Sequence, residues 1–108
     1  MGEATFHTAE DGYPARDAPA WTEEKLMILE CYIQAFARAC AKAGGWFGLD
    51  LFAGTGLNYS LLRSVEIPGS PLILLDAEPP PATKVLLCEQ HDGARQALVN
   101  RCEAYGAR

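Results

Sequence analysis

The sequence predicts an α/β fold, in which an N-terminal helix precedes two parallel strands with flanking helices. Three observations lead to this prediction. A long amphipathic helical pattern occupies the first half of the chain, two short apolar runs have the length of buried strands, and a helical segment follows each run. Elements that alternate in this way are typical of a parallel sheet whose strands are joined by helical crossovers.

Composition limits the class of protein. A chain of 108 residues with 49% apolar and 21% charged residues has the composition of one folded domain. No apolar run approaches the ~20 residues that cross a bilayer, and the N-terminus lacks the basic and apolar regions of a signal peptide. We therefore expect a cytoplasmic protein with no membrane contact.

The net charge of −5 is concentrated in the N-terminal segment. Residues 1–30 carry seven acidic residues against Arg16 and Lys25, while the remainder of the chain is balanced. No basic stripe is present, so a nucleic-acid partner is unsupported.

Four cysteines raise the question of a metal or a disulfide. They form no C-x-x-C pair, and neither histidine completes a metal-ligand spacing. We expect four reduced thiols packed as small apolar groups, and no metal site. The cysteines are Cys31, Cys40, Cys88 and Cys102.

Residues 1–20 are rich in glycine, proline and small polar residues, which predicts an extended arm with little regular structure. Residues 21–108 are then the folded part.

Thr22 is the predicted N-cap of a helix over 22–43, and Trp21 and Leu26 have the spacing of a hydrophobic staple. The helix has one apolar stripe and stops at Gly44. The stripe consists of Leu26, Leu29, Ile33, Phe36 and Cys40.

Beyond this helix, the apolar runs 46–51 and 84–89 predict buried strands, and 57–68 is expected to be irregular. Pro71 predicts a short helix over 71–78, although the apolar run 72–75 fits a strand equally well. The prolines at 79–81 should end it. Asp92 is the predicted cap of a last helix that reaches about residue 105. Its apolar face comprises Ala94, Ala97, Leu98, Cys102 and Tyr105.

The first strand ends in a glycine turn, the name we give to residues 52–56 (Phe-Ala-Gly-Thr-Gly). Gly54 and Gly56 would let the backbone approach a ligand at the carboxyl end of a strand. Tyr59 stands where the dinucleotide fingerprint has its third glycine. From the turn alone, both a plain strand exit and a nucleotide-binding loop remain open.

Two carboxylates favour the nucleotide-binding interpretation. Asp50 ends the first strand and Glu89 ends the second, and parallel neighbours bring these ends to one edge. A carboxylate there can accept hydrogen bonds from both ribose hydroxyls, while the alternative for Glu89 is a solvated acid. With no third group to orient them, Asp50 and Glu89 suit ligand hydroxyls and a cationic cofactor better than acid–base chemistry.

These residues resemble a known family. "DLFAGTG", followed by an acid at the end of the next strand, resembles the S-adenosylmethionine (SAM) site of class I methyltransferases, which have a Rossmann-like fold. "WTEEKLMILECYIQAF", "GSPL" and "KVLLCEQHDGARQAL" narrow the resemblance to the three-Cys-motif partner proteins (TcmP), a bacterial methyltransferase-like family associated with radical-SAM-type partners. The resemblance covers about residues 13–105.

The resemblance implies that SAM is the cofactor. Gly54 and Gly56 would pass close to its methionine part, Glu89 would hold the ribose hydroxyls, and Gln90 or His91 would lie near the adenine. Asp50 would hydrogen-bond within the turn or reach the amino group of SAM, with three further turn residues lining the site. The implied cofactor-binding residues are Asp50, Phe52, Ala53, Gly54, Thr55, Gly56, Glu89 and Gln90.

The chain also departs from the family. Thr55 stands where members often have proline, and the acceptor-side motif has no counterpart, so no catalytic residue is assigned. The expectation is therefore the N-terminal, SAM-binding portion of a methyltransferase, completed by a C-terminal half, a radical-SAM-type partner or a second copy at an exposed strand edge. The alternatives are a non-catalytic interaction module that docks through this open edge and, less favoured because of Tyr59, a nicotinamide-dinucleotide half-domain.

Overall fold

A computed structural model describes residues 5–77 and 82–103. The prediction of a mixed α/β protein is confirmed. The strands are β1 (Phe6–Thr8), β2 (Pro14–Ala18), β3 (Phe47–Asp50), β4 (Leu57–Ser60), β5 (Val65–Pro68) and β6 (Lys84–Leu87). The helices are α1 (Ala20–Ala39), which continues as a 3-10 helix (Cys40–Ala43), α2 (Ser70–Leu75) and α3 (Asp92–Glu103).

The strands form two sheets. The larger has the order β1-β2-β4-β5, in which β2 and β4 are parallel and the outer pairs are antiparallel. The smaller consists of β3 and β6, which run parallel from the pair Phe47–Lys84 to the pair Asp50–Leu87. The predicted parallel pair is therefore confirmed. The prediction that both strands are buried is wrong, because Phe47, Leu49 and Leu86 are exposed.

The larger sheet was not predicted. Residues 1–20 were expected to lack regular structure and 57–68 to be irregular, yet they supply β1 and β2, and β4 and β5. "PARDA" does not alternate apolar and polar residues, and "LNYS" alternates over only four residues, the shortest length at which this pattern indicates a strand. These segments become strands because β2 and β4, distant in sequence, satisfy each other's backbone groups.

Helix α1 begins earlier than predicted. Pro19 is its N-cap, and the carbonyl of Pro19 accepts the N–H groups of Thr22 (2.9 Å) and Glu23 (3.1 Å), so the predicted Thr22 cap is wrong. Trp21 consequently lies inside the first turn with its side chain exposed, and the predicted staple to Leu26 is wrong. The predicted stop is confirmed, since Gly44 ends the 3-10 helix at φ 89°.

The core lies between α1, α2 and the β3–β6 sheet. Ile33 and Ala37 from α1 contact Ile73 and Leu74 from α2, and Trp46 packs edge-on against Phe36 at 5.9 Å between ring centroids. Most of the predicted stripe faces this core, with Leu26, Leu29 and Cys40 partly buried.

Helix α2 settles the ambiguity at the run 72–75 in favour of a helix. All side chains from Pro71 to Leu75 are buried, so the segment is apolar on every face. It ends at Leu75, and the prolines at 79–81 lie outside the described residues.

A buried carboxylate joins α1 to the larger sheet. Glu23 accepts hydrogen bonds from the Ser60 hydroxyl (2.8 Å) and from the Nε of Arg63 (2.6 Å). The Ser60 hydrogen bond outweighs the effect of burial and holds the pKa of Glu23 below its usual value.

Within the described residues, no helix is long and apolar enough to span a membrane.

Candidate functional site

The glycine turn continues the pairing of the smaller sheet. The Cys88 N–H donates to the Asp50 carbonyl (2.8 Å), and the Ala53 N–H donates to the Cys88 carbonyl (2.9 Å). The turn is therefore fixed directly beside the residues that follow β6. The expectation that the two strand ends meet at one edge is met.

Glu89 holds the turn from the side of β6. Its Oε1 accepts the N–H of Gly54 (2.8 Å), and its Oε2 accepts the N–H of His91 (2.8 Å). A carboxylate oxygen accepts more than one hydrogen bond, so each oxygen retains capacity for a further donor. The structure thus brings Glu89 and Gly54 together.

Asp50 faces a different part of the molecule. Its Oδ1 accepts the N–H of Phe52 (3.1 Å), and its Oδ2 accepts a hydrogen bond from the hydroxyl of Ser70 at the start of α2. Asp50 lines a groove beside α1 and α2, whereas Glu89 lines a separate cavity at the glycine turn. The two carboxylates therefore do not share one site.

The two turn glycines are required for different reasons. Both have positive φ, 69° at Gly54 and 82° at Gly56, which disfavours any side chain. A Cβ at Gly54 would meet no atom within 4 Å, whereas one at Gly56 would lie 3.1 Å from a methyl of Leu98 in α3. Gly54 therefore leaves its backbone open to a ligand, and Gly56 packs against α3.

The remaining predicted site residues vary in exposure. Phe52 and Gln90 are exposed, and Ala53 is buried. Thr55 is 2% exposed, and its hydroxyl donates to the Leu57 carbonyl (2.5 Å) and accepts the Arg16 N–H (3.3 Å). The Thr55 side chain therefore stabilises the turn from within.

Sequence reasoning missed Arg101, which binds the turn from behind. This buried side chain of α3 donates from Nη1 to the carbonyls of Thr55 (2.8 Å) and Pro14 (2.7 Å), and from Nη2 to that of Tyr13 (3.1 Å). Nε and Nη2 also bind the Asp11 carboxylate (2.8 and 2.9 Å). The hydrogen bond from Arg101 lowers the pKa of Asp11. The sequence contained one indication of this role. Arg101 lies four residues after Ala97 and three after Leu98, which places it on the apolar face of the predicted helix.

A small cavity of about 150 Å³ lies at the glycine turn. Glu89 and Gly54 line it together with Phe6, Arg16 and His91. The rings of Phe6 and His91 stack there, with centroids 6.2 Å apart. Strand β1 thus contributes an aromatic wall that no sequence pattern indicated.

His91, not the predicted Asp92, caps α3. Its Nδ1 accepts the N–H of Ala94 (3.1 Å). Asp92 instead forms an exposed ion pair with Arg95.

The four cysteines are free thiols, but the packing prediction is wrong for Cys31 and Cys88, which are exposed. Cys40 and Cys102 are half-buried, and burial raises the pKa of Cys102. Residues 5–77 and 82–103 contain no group of three or more potential metal ligands placed to hold an ion.

Comparisons with protein-family models, with curated proteins and with solved structures give no match to this chain. The methyltransferase resemblance therefore depends on the residues and geometry described above.

We expect Arg101→Ala to lower the free energy of unfolding by about 3 kcal/mol, because it leaves three backbone carbonyls without their donor. Arg95→Ala, which removes an exposed ion pair on the same helix, should cost less than about 0.5 kcal/mol. Urea denaturation measures both. If Arg101→Ala prevents folding, Arg101→Lys can be measured instead. Lysine keeps the positive charge but lacks the planar guanidinium with its several N–H donors, so this variant should still be less stable than wild type. Equal stabilities for the Arg101 and Arg95 variants would contradict this role.

Proposed function

We propose that the chain is the SAM-binding part of a methyltransferase-like protein of three-Cys-motif partner type, with a partial Rossmann-like fold. The observation that carries the proposal is the hydrogen bond between Gly54 and Glu89 at the carboxyl edge of a parallel strand pair. It supports a cofactor that contacts a glycine-rich backbone and presents ribose hydroxyls to a carboxylate. The proposal covers neither the part of a methyltransferase that binds the methyl acceptor nor the identity of that acceptor.

The Glu89 carboxylate fits the ribose of SAM as a hydrogen-bond acceptor. Glu89 is already oriented by two backbone N–H groups and retains acceptor capacity on both oxygens. Gly54 leaves open space where its side chain would be. The structure therefore supplies an oriented acceptor next to an accessible backbone without any rearrangement of the turn.

The cavity volume constrains how a whole SAM molecule binds. At about 150 Å³, the cavity is smaller than the ~300–1,000 Å³ of typical small-molecule sites. Phe6 covers one side of it through its stack on His91. We infer that β1 must move away for the full cofactor to enter, and that the adenine then takes the place of Phe6 against His91.

We expect calorimetry to detect binding of SAM or S-adenosylhomocysteine by the wild-type chain. Glu89→Gln should weaken binding by about 1–3 kcal/mol, because it removes a charged acceptor of the ribose hydroxyls. The amide oxygen of this variant can still accept the N–H of Gly54, so the turn should persist, whereas its NH2 group can no longer accept the N–H of His91. Glu24→Gln removes the same charge from an exposed position on α1 and should bind as wild type does.

Unfolding transitions of both variants would verify that the fold is retained. A folded wild-type chain that binds neither ligand would exclude the proposal. Equal affinities for the Glu89 and Glu24 variants would exclude Glu89 as the ribose acceptor.

A second candidate function, a non-catalytic interaction module, is favoured by the uncovered smaller sheet. Phe47, Leu49 and Leu86 are 74%, 60% and 56% exposed on one face of a parallel sheet, an architecture that is normally covered on both faces. All residues of β3 line a groove of about 370 Å³ beside α1. We propose a second copy as the occupant, because an apolar face of this kind is complementary to itself and two such faces packed together would both be removed from water.

Light scattering after size-exclusion chromatography tests this candidate. We expect a wild-type dimer that Leu49→Lys converts to a monomer, because the charge would enter the buried interface. Leu62→Lys changes a comparably exposed leucine after β4 and should leave the dimer intact. A wild-type monomer over the accessible concentration range would contradict dimerisation through this face.

A further inference from the structure

A second cleft lies on the side of the larger sheet near the start of α1. Its volume is about 570 Å³, within the range of small-molecule sites. Arg16 and Asp17 of β2, Trp21 and Lys25 of α1, and Asn58 of β4 contribute to its walls. Two strands joined by parallel pairing, β2 and β4, and helix α1 therefore build it.

The charges in this cleft are unbalanced. Neither Arg16 nor Lys25 forms an ion pair with a carboxylate in the part of the chain that the structure describes, whereas Arg63, Arg95 and Arg101 do. The carboxylate of the cleft, Asp17, accepts hydrogen bonds from Thr5 and His7. The cleft is thus lined by two cationic side chains and one carboxylate, and Thr5 and His7, not either cation, bind that carboxylate.

Trp21 adds a flat apolar surface to these cations. Its side chain is 62% exposed, and the Nζ of Lys25 lies 5.0 Å from the centroid of its ring. Pro19, Leu26 and Leu61 complete the apolar part of the lining. An exposed tryptophan that holds an ammonium group beside its ring suits a ligand with both an anionic group and a planar body.

We propose that this cleft binds a small phosphate monoester that carries a planar ring. The phosphate dianion matches the two cations, since a guanidinium binds phosphate oxygens in a bidentate manner and an ammonium adds a point charge. The ring lies along Trp21 and the adjoining apolar residues. A mononucleotide is the simplest ligand of this class. The proposal does not depend on SAM binding at the glycine turn, although Arg16 lines both cavities.

Calorimetry with AMP and with adenosine at moderate ionic strength tests the proposal, because the two probes differ only in the phosphate. AMP should bind, and adenosine should bind at least about tenfold more weakly, as expected for the loss of charge-assisted hydrogen bonds. Lys25→Ala should weaken AMP binding about tenfold. Lys42→Ala removes an exposed lysine in the 3-10 helix beyond α1 and should leave it unchanged.

Trp21→Phe supplies a second readout. Tryptophan fluorescence of the wild type should respond to AMP, and the response should disappear in this variant, because the other tryptophan, Trp46, is buried away from the cleft. The absence of AMP binding at millimolar concentration would overturn the proposal. So would equal affinities for AMP and adenosine, or for the Lys25 and Lys42 variants. AMP binding that SAM displaces but Lys25→Ala leaves unchanged would assign the nucleotide to the glycine turn and also overturn it.

Discussion

The guanidinium of Arg101 lies where the start of β2, the glycine turn and α3 meet, and it donates to backbone carbonyls of the first two. These partners are separated from it by 46 to 88 residues in sequence. A buried guanidinium is costly unless its donors are satisfied, and here carbonyls and the Asp11 carboxylate satisfy them. The conformation of the turn therefore depends on a residue of the last helix.

Two groups hold the glycine turn from opposite sides. Arg101 binds the carbonyl of Thr55, while Glu89 binds the N–H of Gly54. Two nearby peptide groups of the turn are thus fixed, one by a cation that donates to its carbonyl and the other by an anion that accepts its N–H. The result is a turn whose backbone is ordered by the protein itself, and an ordered turn does not have to lose conformational entropy when a ligand binds.

The sequence predicted those elements whose own side chains provide the stabilising contacts. The stripe on α1 and the apolar run in α2 pack into one core, so their patterns could be recognised, whereas β3 was recognised from its apolar run although Phe47 and Leu49 are exposed. Strand β2 was missed because "PARDA" has no alternating pattern, and β4 because its alternation covers only four residues. Backbone hydrogen bonds between the two strands stabilise both.

The candidate site was predictable to a similar degree. Parallel pairing of the strands predicted that Glu89 would lie beside the turn. The position of Gly54 directly after β3 predicted that it would belong to the site. The contribution of Phe6 did not follow, because it depends on β1, and the roles of Arg101 and Asp11 depend on a contact across nearly the whole chain. The different roles of Gly54 and Gly56 could not be predicted either, because they depend on the position of Leu98 in α3.

The central claim is that an ordered backbone around Gly54 and Glu89 binds SAM. Amide chemical shifts recorded by NMR during a titration with S-adenosylhomocysteine test it most directly, because both N–H groups that donate to Glu89 can be observed. The largest changes should occur at Gly54 and His91, with Gly44 at the far end of α1 unaffected. Unchanged Gly54 and His91 signals at saturating ligand, or changes no larger than that of Gly44, would contradict the claim.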